Sequence, residues 1–254
     1  MKQIKTLTAL FAVFFLLGIS PQVCASHAMA QLLLAEEGTE CDHSYSYGFC
    51  TLCGEPQADY VVPGTDGYYN LANAHEFLWW SKAVASGTTN ASARLTADID
   101  MEGIAMVPVG ATEQAPFRGT FDGQGHVIRN LELTGENKIG LFSYVTGGAY
   151  VKNFILDSSC SISGGSYVGT IGCTIGNGSV NIEGIGMEGT VTASSVNAGG
   201  ILGCRLDNTA ILMSDCYVTG KVIGGSESAA MAGWVGSGAK LTNLWACGEV
   251  QGQQ

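Results

Sequence analysis

Charge is the first thing this sequence is short of. Only 13% of its 254 residues are Asp, Glu, Lys or Arg, and basic residues are the scarcer kind, 11 against 22 acidic, for a formal net charge of −11. A surface of that sign repels polyanions, which excludes DNA and RNA as partners. Proline is sparse, at five residues, and the 36 glycines follow no Gly-X-Y period, so collagen is excluded as well. Beyond residue 30 there is no long apolar run, so the mature chain has no transmembrane helix. Disorder is excluded by what is present: 46% of the residues are apolar, more than enough to bury a core. Glycine, about one residue in seven, is mixed with Val, Ile, Thr, Ser and Asn, a composition of strands and tight turns. The chain reads as all-β.

Lys2 and Lys5 precede the apolar stretch TLTALFAVFFLLGIS, Thr6 to Ser20. It is too short to span a bilayer comfortably and the right length for the apolar centre of a signal peptide. Small residues at the −3 and −1 positions fit cleavage after Ala30 or after Ala25, with the former preferred. Residues 1–30 are therefore expected to be a signal peptide, and the protein to be secreted or displayed on the cell surface. Lipid attachment through Cys24 is the weaker alternative, because Val23 stands where such signals carry Gly, Ala or Ser.

The next segment, 31–60, contains CDHSYSYGFCTLCG, which places Cys41, His43, Cys50 and Cys53 within thirteen residues. A C-x-x-C turn lets two thiolates converge on one tetrahedral ion, and Gly54 lets the backbone fold over the sulfurs. The Cys41/His43 half is less typical, since zinc motifs ordinarily use longer spacings. A disulfide with one sulfur left over, or a cluster without a ligand, are the competing readings for an exported chain. The odd number of cysteines favours structural zinc. Four filled ligand positions leave none open for catalysis, so the role expected is a staple.

Residues 61–92 form a linker and one helix. NLANAHEFLWWSKAVASG has Asn73 and Glu76 at capping-box spacing and Gly87 as a stop. Leu71, Ala74, Leu78 and Ala85, flanked by Phe77 and Val84, make an apolar stripe suited to capping one end of the fold. Trp79 and Trp80 read as packed residues ahead of sugar-stacking ones. His75-Glu76 begins a zinc-protease motif that fails, because Trp79 stands where the second His belongs.

From 93 to 254 one phrase returns: IGLFS, VGTIG, GGILG and AGWVG, with the glycine of the second position at Gly140, Gly169, Gly200 and Gly233. The intervals are 29, 31 and 33 residues. This alignment puts Phe142, Ile171, Leu202 and Val235 in one inward column. A second half-repeat ends in Gly-x-Val, at Gly189-Thr190-Val191, Gly220-Lys221-Val222 and Gly248-Glu249-Val250. Self-similarity near thirty residues means stacked units that cannot bury their apolar faces alone. The economical architecture is a parallel β-helix (β-solenoid), one coil per repeat. It would set Cys173 above Cys204, as a bridge, a thiol stack or two small buried hydrophobes, the last being commonest.

GYYNLANAHEFLWWSKAVASG, LTADIDM, PFRGTFDGQGHVIRNLEL and the G-x-x-G phrases resemble, in that order, bacterial cell-surface proteins with GLUG repeats, seen also in IgA-specific metallopeptidases. The resemblance covers about Gly67 to the C-terminus. It implies a right-handed parallel β-helix whose first coil turns at Asp122-Gly123-Gln124-Gly125, and a cell-surface setting. The Cys41–Gly54 element is similar to small zinc-ribbon-like inserts beside such modules. It implies no catalytic residues; the repeats here are degenerate and no peptidase domain accompanies them.

Parallel β-helices also host polysaccharide-cleaving enzymes, which need paired carboxyls in a groove. Asp98, Asp100 and Glu102 alternate along one strand and Asp122 follows, the best such cluster available. No ladder of Arg or Lys accompanies it to clamp an acidic sugar, and His126 stands alone as a packed or hydrogen-bonded residue. The favoured reading is a non-catalytic surface solenoid for adhesion or for binding an extracellular glycan or a host or bacterial surface protein. The alternatives are a polysaccharide hydrolase or lyase built on Asp98, Asp100 and Asp122, and a fragment of a larger surface protein. Tyr68, Tyr69, Trp234 and Trp245 are the candidate sugar-stacking aromatics, with packing the commoner fate of each.

Overall fold

The computed structural model describes residues 41–252; the signal peptide, Cys24 and the Ala25 and Ala30 cleavage sites lie outside them. A short antiparallel hairpin comes first, β1 (Tyr45–Ser46) and β2 (Phe49–Cys50). Then follow β3 (Tyr69–Leu71), the helix α1 (Ala74–Ala85), β4 (Ala93–Leu95), β5 (Ile99–Asp100), β6 (Thr120–Arg129) and β7 (Glu132–Thr134). Three strands per coil succeed them: β8 (Phe142–Thr146), β9 (Tyr150–Leu156) and β10 (Ser161–Gly164); β11 (Ile171–Ile175), β12 (Ser179–Met187) and β13 (Thr190–Ala193). In the last coils the middle strand is split. These hold β14 (Leu202–Arg205), β15 (Ala210–Ser214), β16 (Tyr217–Val218) and β17 (Lys221–Gly224), then β18 (Ala232–Trp234), β19 (Lys240–Thr242), β20 (Trp245–Ala246) and β21 (Glu249–Gly252).

Stacking the coils makes three parallel sheets: four strands in the order β18-β14-β11-β8, five in the order β21-β17-β13-β10-β7, and ten built on β19-β15-β12-β9-β6-β4-β3. The inward columns are apolar because strand side chains alternate, and stacking identical positions keeps one face inside. Leu133, Ile162, Val191, Val222 and Val250 are in register along the five-stranded sheet. The Gly-x-Val half-repeat therefore forms the column that its spacing suggests. All but Val250 are buried.

At the N-terminal end the core is aromatic. Phe77 and Trp80 of α1 stack on Phe121, which in turn meets Phe142 and Phe154, with neighbouring ring centroids 5.2–6.0 Å apart. Each fully buried ring contributes about 1.5–3 kcal/mol. Asn73 caps α1, its Oδ1 accepting from the Glu76 N–H at 3.1 Å, while Glu76 Oε2 accepts from the Ala72 N–H at 2.6 Å. The buried face is centred on Phe77, Trp80, Ser81 and Val84; of the expected stripe Leu71 and Ala74 are buried as well, while Leu78 and Ala85 are half-buried because Trp80, the largest side chain, takes the interior. Trp80 Nε1 donates to Ala91 O at 3.1 Å and Trp79 Nε1 to Gln57 O at 2.7 Å, so both tryptophans pack.

Two expectations are corrected. Leu202 pairs with Ala232, not Val235, so the last repeat begins at Ala230, thirty residues after Gly200. The reason is steric: the glycine column runs Gly172, Gly203, Gly233, and a Cβ at Gly233 would stand 2.6 Å from Gly203 O. Asp122–Gly125 is not a corner but a bulge inside β6, where register shifts between Asp122 and His126. Asp122 Oδ1 accepts from the Gln124 N–H at 2.9 Å, and Gln124 and Gly125 take φ of 51° and 82°, so the extra residues loop out while pairing resumes beyond.

The column Gly189, Gly220, Gly248 is tighter still. A Cβ on Gly220 would collide with Gly189 O, and one on Gly248 with Gly220 O. Gly220→Val is expected to lower unfolding free energy by about 3 kcal/mol, read from urea melts, because neither backbone can withdraw without breaking coil-to-coil hydrogen bonds. Wild-type stability in that variant would refute the close-approach account.

Candidate functional site

Tyr47 and Gly48, with φ of 50° and 80°, turn the β1–β2 hairpin, the paired left-handed conformation that two-residue hairpin loops need. β2 ends at Cys50, which is 3% exposed, and the chain doubles back at once. Gly54 N–H donates to Cys50 O at 2.9 Å, Leu52 N–H points at Cys50 Sγ from 3.4 Å, and Gly54 is left-handed at φ 74°. An N–H aimed at a sulfur favours its thiolate form. The ligand atoms of Cys41, His43, Cys50 and Cys53 all lie within 4.8 Å of one another. A tetrahedron with Zn–S of about 2.3 Å has edges of roughly 3.8 Å, so three sulfurs and one imidazole nitrogen at this spacing fit a single ion.

The knuckle is seated on the capping helix. Besides the Trp79–Gln57 hydrogen bond, the Tyr47 ring stacks on His75 at 4.4 Å, and Lys82 Nζ lies 4.5 Å from the centre of the Phe49 ring. Tyr47 and Phe49 before Cys50, and Gln57 after Cys53, are thereby tied to α1 along its length, from His75 to Lys82.

The carboxylates meet a different fate. Asp98 Oδ1 accepts from the Val127 N–H at 3.1 Å and lies 3.2 Å from His126 Nδ1; its Oδ2 accepts from Arg129 Nη1 at 3.1 Å. The Val127 N–H, then His126 and Arg129, hold its pKa below the ordinary 3.8. Asp100 accepts from Asn130 Nδ2 at 2.8 Å and the Glu102 N–H at 3.0 Å, which lower its pKa likewise. Asp122 accepts from Gln124 and Asn153 and pairs with Lys152 at 3.3 Å. Asp98 and Asp100 are thus the opposite of a general acid, which requires a raised pKa. His126 is not alone, as it faces Asp98, and Arg129 extends that network to Asp157, 3.5 Å away.

Cys173 and Cys204 do sit in register in adjacent coils, buried and unbridged on the outer side of the four-stranded sheet beneath Tyr144 and Tyr167. Burial raises the thiol of Cys173 to about 12 and those of Cys160, Cys204 and Cys216 to about 11. Two columns of left-handed residues recur coil by coil. Lys138, Tyr167, Asn197 and Glu227 have φ of 58–62°, and Asn153, Gly184, Asp215 and Asn243 have φ of 52–62°. The second column is rich in Asn, Asp and Gly, the types that tolerate this region. That recurrence was the available signal.

No family model matches the chain. A search of solved structures returns the crystal structure of a "putative immunoglobulin A1 protease" from Bacteroides ovatus, with a TM-score of 0.50, 17% identity, and coverage of 72% of this chain and 69% of that one. The chain is a parallel β-solenoid. At that identity the likeness speaks for the fold alone. In sequence the chain is 28% identical over 186 residues to Halomucin of Haloquadratum walsbyi (strain DSM 16790 / HBSQ001), across 66% of its length. It spans 2% of that relative's length. Among the described residues no helix is long and apolar enough to cross a membrane.

A depressed folded-state pKa stabilises above the unfolded value and ceases to do so as pH falls through the folded one. The stability difference between wild type and Asp98→Asn should therefore be full at pH 6 and shrink below about pH 4, as urea midpoints across that range would register; a difference independent of pH would contradict the part given to the ionised Asp98 carboxylate in holding Val127 and Arg129. Iodoacetamide at pH 8 is expected to modify exposed Cys247 in the native protein and to spare Cys160, Cys173, Cys204 and Cys216 until urea unfolds it. Native labelling of those four by peptide mass spectrometry would contradict their burial.

Proposed function

We propose that this is an exported, non-catalytic β-solenoid of the cell surface or extracellular medium. It binds a glycan or a surface protein and is stapled at its N-terminal end by one structural zinc held by Cys41, His43, Cys50 and Cys53. In this reading residues 1–30 are the signal peptide, 31–60 the zinc-ribbon-like segment, 61–92 the linker and capping helix, and 93–254 a run of GLUG-type repeats. The observation that carries the zinc assignment is the convergence of four ligand atoms within 4.8 Å, enough to fill one tetrahedral site. The absence of catalysis is supported by the commitment of Asp98, Asp100 and Asp122 to backbone, amide and cationic partners. An exported chain also meets the ligands that a rigid, flat-sided solenoid is built to contact.

Zinc, when bound, supplies only cross-linking. Its four ligands lock the C-x-x-C turn, and through Gln57 and Tyr47 that turn is held against α1. Mass spectrometry on mature protein purified without chelator should find about one zinc per chain, with Cys41, Cys50 and Cys53 shielded from alkylation. Cys50→Ser should lose the metal and lower Tm by about 5 °C. A metal-free protein with Cys50 and Cys53 oxidised would replace the zinc by a disulfide, and release of reducing ends from any polysaccharide would overturn the non-catalytic reading.

A further inference from the structure

The outer face of the ten-stranded sheet is not uniformly flat. In one outward column Val127, Ile155, Gly186, Tyr217 and Trp245 follow one another coil by coil. The side chain vanishes at Gly186, and Gly184 lacks one beside it. Below them the Gln124–Gly125 bulge stands out from β6; above them the ring of Tyr217 leans over Gly186, so closely that a Cβ there would strike it. A groove of about 480 Å³ lies between, floored by Asn153, Ile155 and Gly184 and bounded by Asp122, Gln124 and Tyr217. From β6 to β16 is three coil steps, or about 14 Å at roughly 4.8 Å each.

The geometry points to this groove as a binding site for a neutral oligosaccharide, with Tyr217 as the stacking platform. A pyranose presents an apolar C–H face and a rim of hydroxyls that both donate and accept. Tyr217 and Ile155 offer the apolar surface; Gln124 and Asn153 carry amides, and Asp122 a carboxylate, around it. Tyr217 is immobilised before any ligand arrives. Trp245 stacks on it at 5.1 Å and 11°, and its hydroxyl donates to Glu188 Oε1 at 2.7 Å, so little side-chain entropy remains to be lost on binding. Lys152, next to the groove residue Asn153, is matched by Asp122 at 3.3 Å. With a net charge of −11 on the chain, nothing favours a uronic or sialic polymer. A peptide strand is disfavoured too, because the backbone beneath the groove is already paired on both sides and leaves no edge for strand addition.

This assignment rests on the reading of the chain as a binding solenoid, and the test separates the two. Titration calorimetry of the mature protein against cellohexaose, mannohexaose and chitohexaose, with polygalacturonate as the charged control, should show binding of at least one neutral hexaose and none of the polyanion. Tyr217→Ala should weaken it about tenfold or more, equivalent to about 1.4 kcal/mol, whereas Tyr217→Phe, which keeps the ring, should stay within about twofold. Ile155→Arg raises the floor without touching the Tyr217–Trp245 pair; it should abolish binding at unchanged Tm, which guards against loss through unfolding. No hexaose bound at millimolar concentration, preference for polygalacturonate, or affinity indifferent to both Tyr217→Ala and Ile155→Arg would overturn the groove. If wild type and Ile155→Arg then attach equally to immobilised mucin, the binding solenoid stands and only its site is elsewhere; if neither attaches, both readings fall.

Discussion

Coil-on-coil register is the constraint from which the rest of this structure follows. A parallel ladder repeats at one rise, so every position in a coil is copied by its neighbours and must suit contact with its own kind. Apolar columns satisfy this by packing, as in Leu133 to Val222. Charged columns satisfy it by alternation: Arg94, Asp122, Lys152 and Glu183 succeed one another on the outer face, opposite sign upon opposite sign. A slip of one residue would part these charge pairs and break the glycine columns at once, so several chemically unrelated features enforce the same register.

The same copying explains where local chemistry resides. Side chains inside the stack are bound by neighbours above and below, which leaves functional variety to the outer columns, the bulge in β6 and the hairpin ahead of α1. The acids of the LTADIDM segment illustrate the limit. They look like catalytic carboxylates in sequence, yet they lie at coil edges where amide N–H groups and guanidinium groups need acceptors, and that need consumes them.

What the sequence disclosed follows from period and composition. The Gly-x-Val phrase identified an inward valine column because its alternation is short and its glycine is demanded by the carbonyl beneath. The grouping of Cys41, His43, Cys50 and Cys53 was legible because a C-x-x-C-G turn brings its two sulfurs together. The last repeat was misread by three residues, since AGWVG matches the earlier phrases better than AAMAG does as a string; only the contact of Gly233 with Gly203 reveals which glycine belongs to the column. The bulge at Gln124 was taken for a corner because Asp-Gly and Gln-Gly suit either, and the difference is decided by pairing beyond them. The groove beside Tyr217 was invisible, as it arises from missing side chains at Gly184 and Gly186 in one coil and an aromatic in the next.

At the helix end of the stack Phe77 and Trp80 reach into an aromatic core. A solenoid whose units touch only their neighbours comes apart one unit at a time. Under tension the described coils would therefore part in succession, each release lengthening the tether by about thirty residues of chain while the remainder keeps its shape.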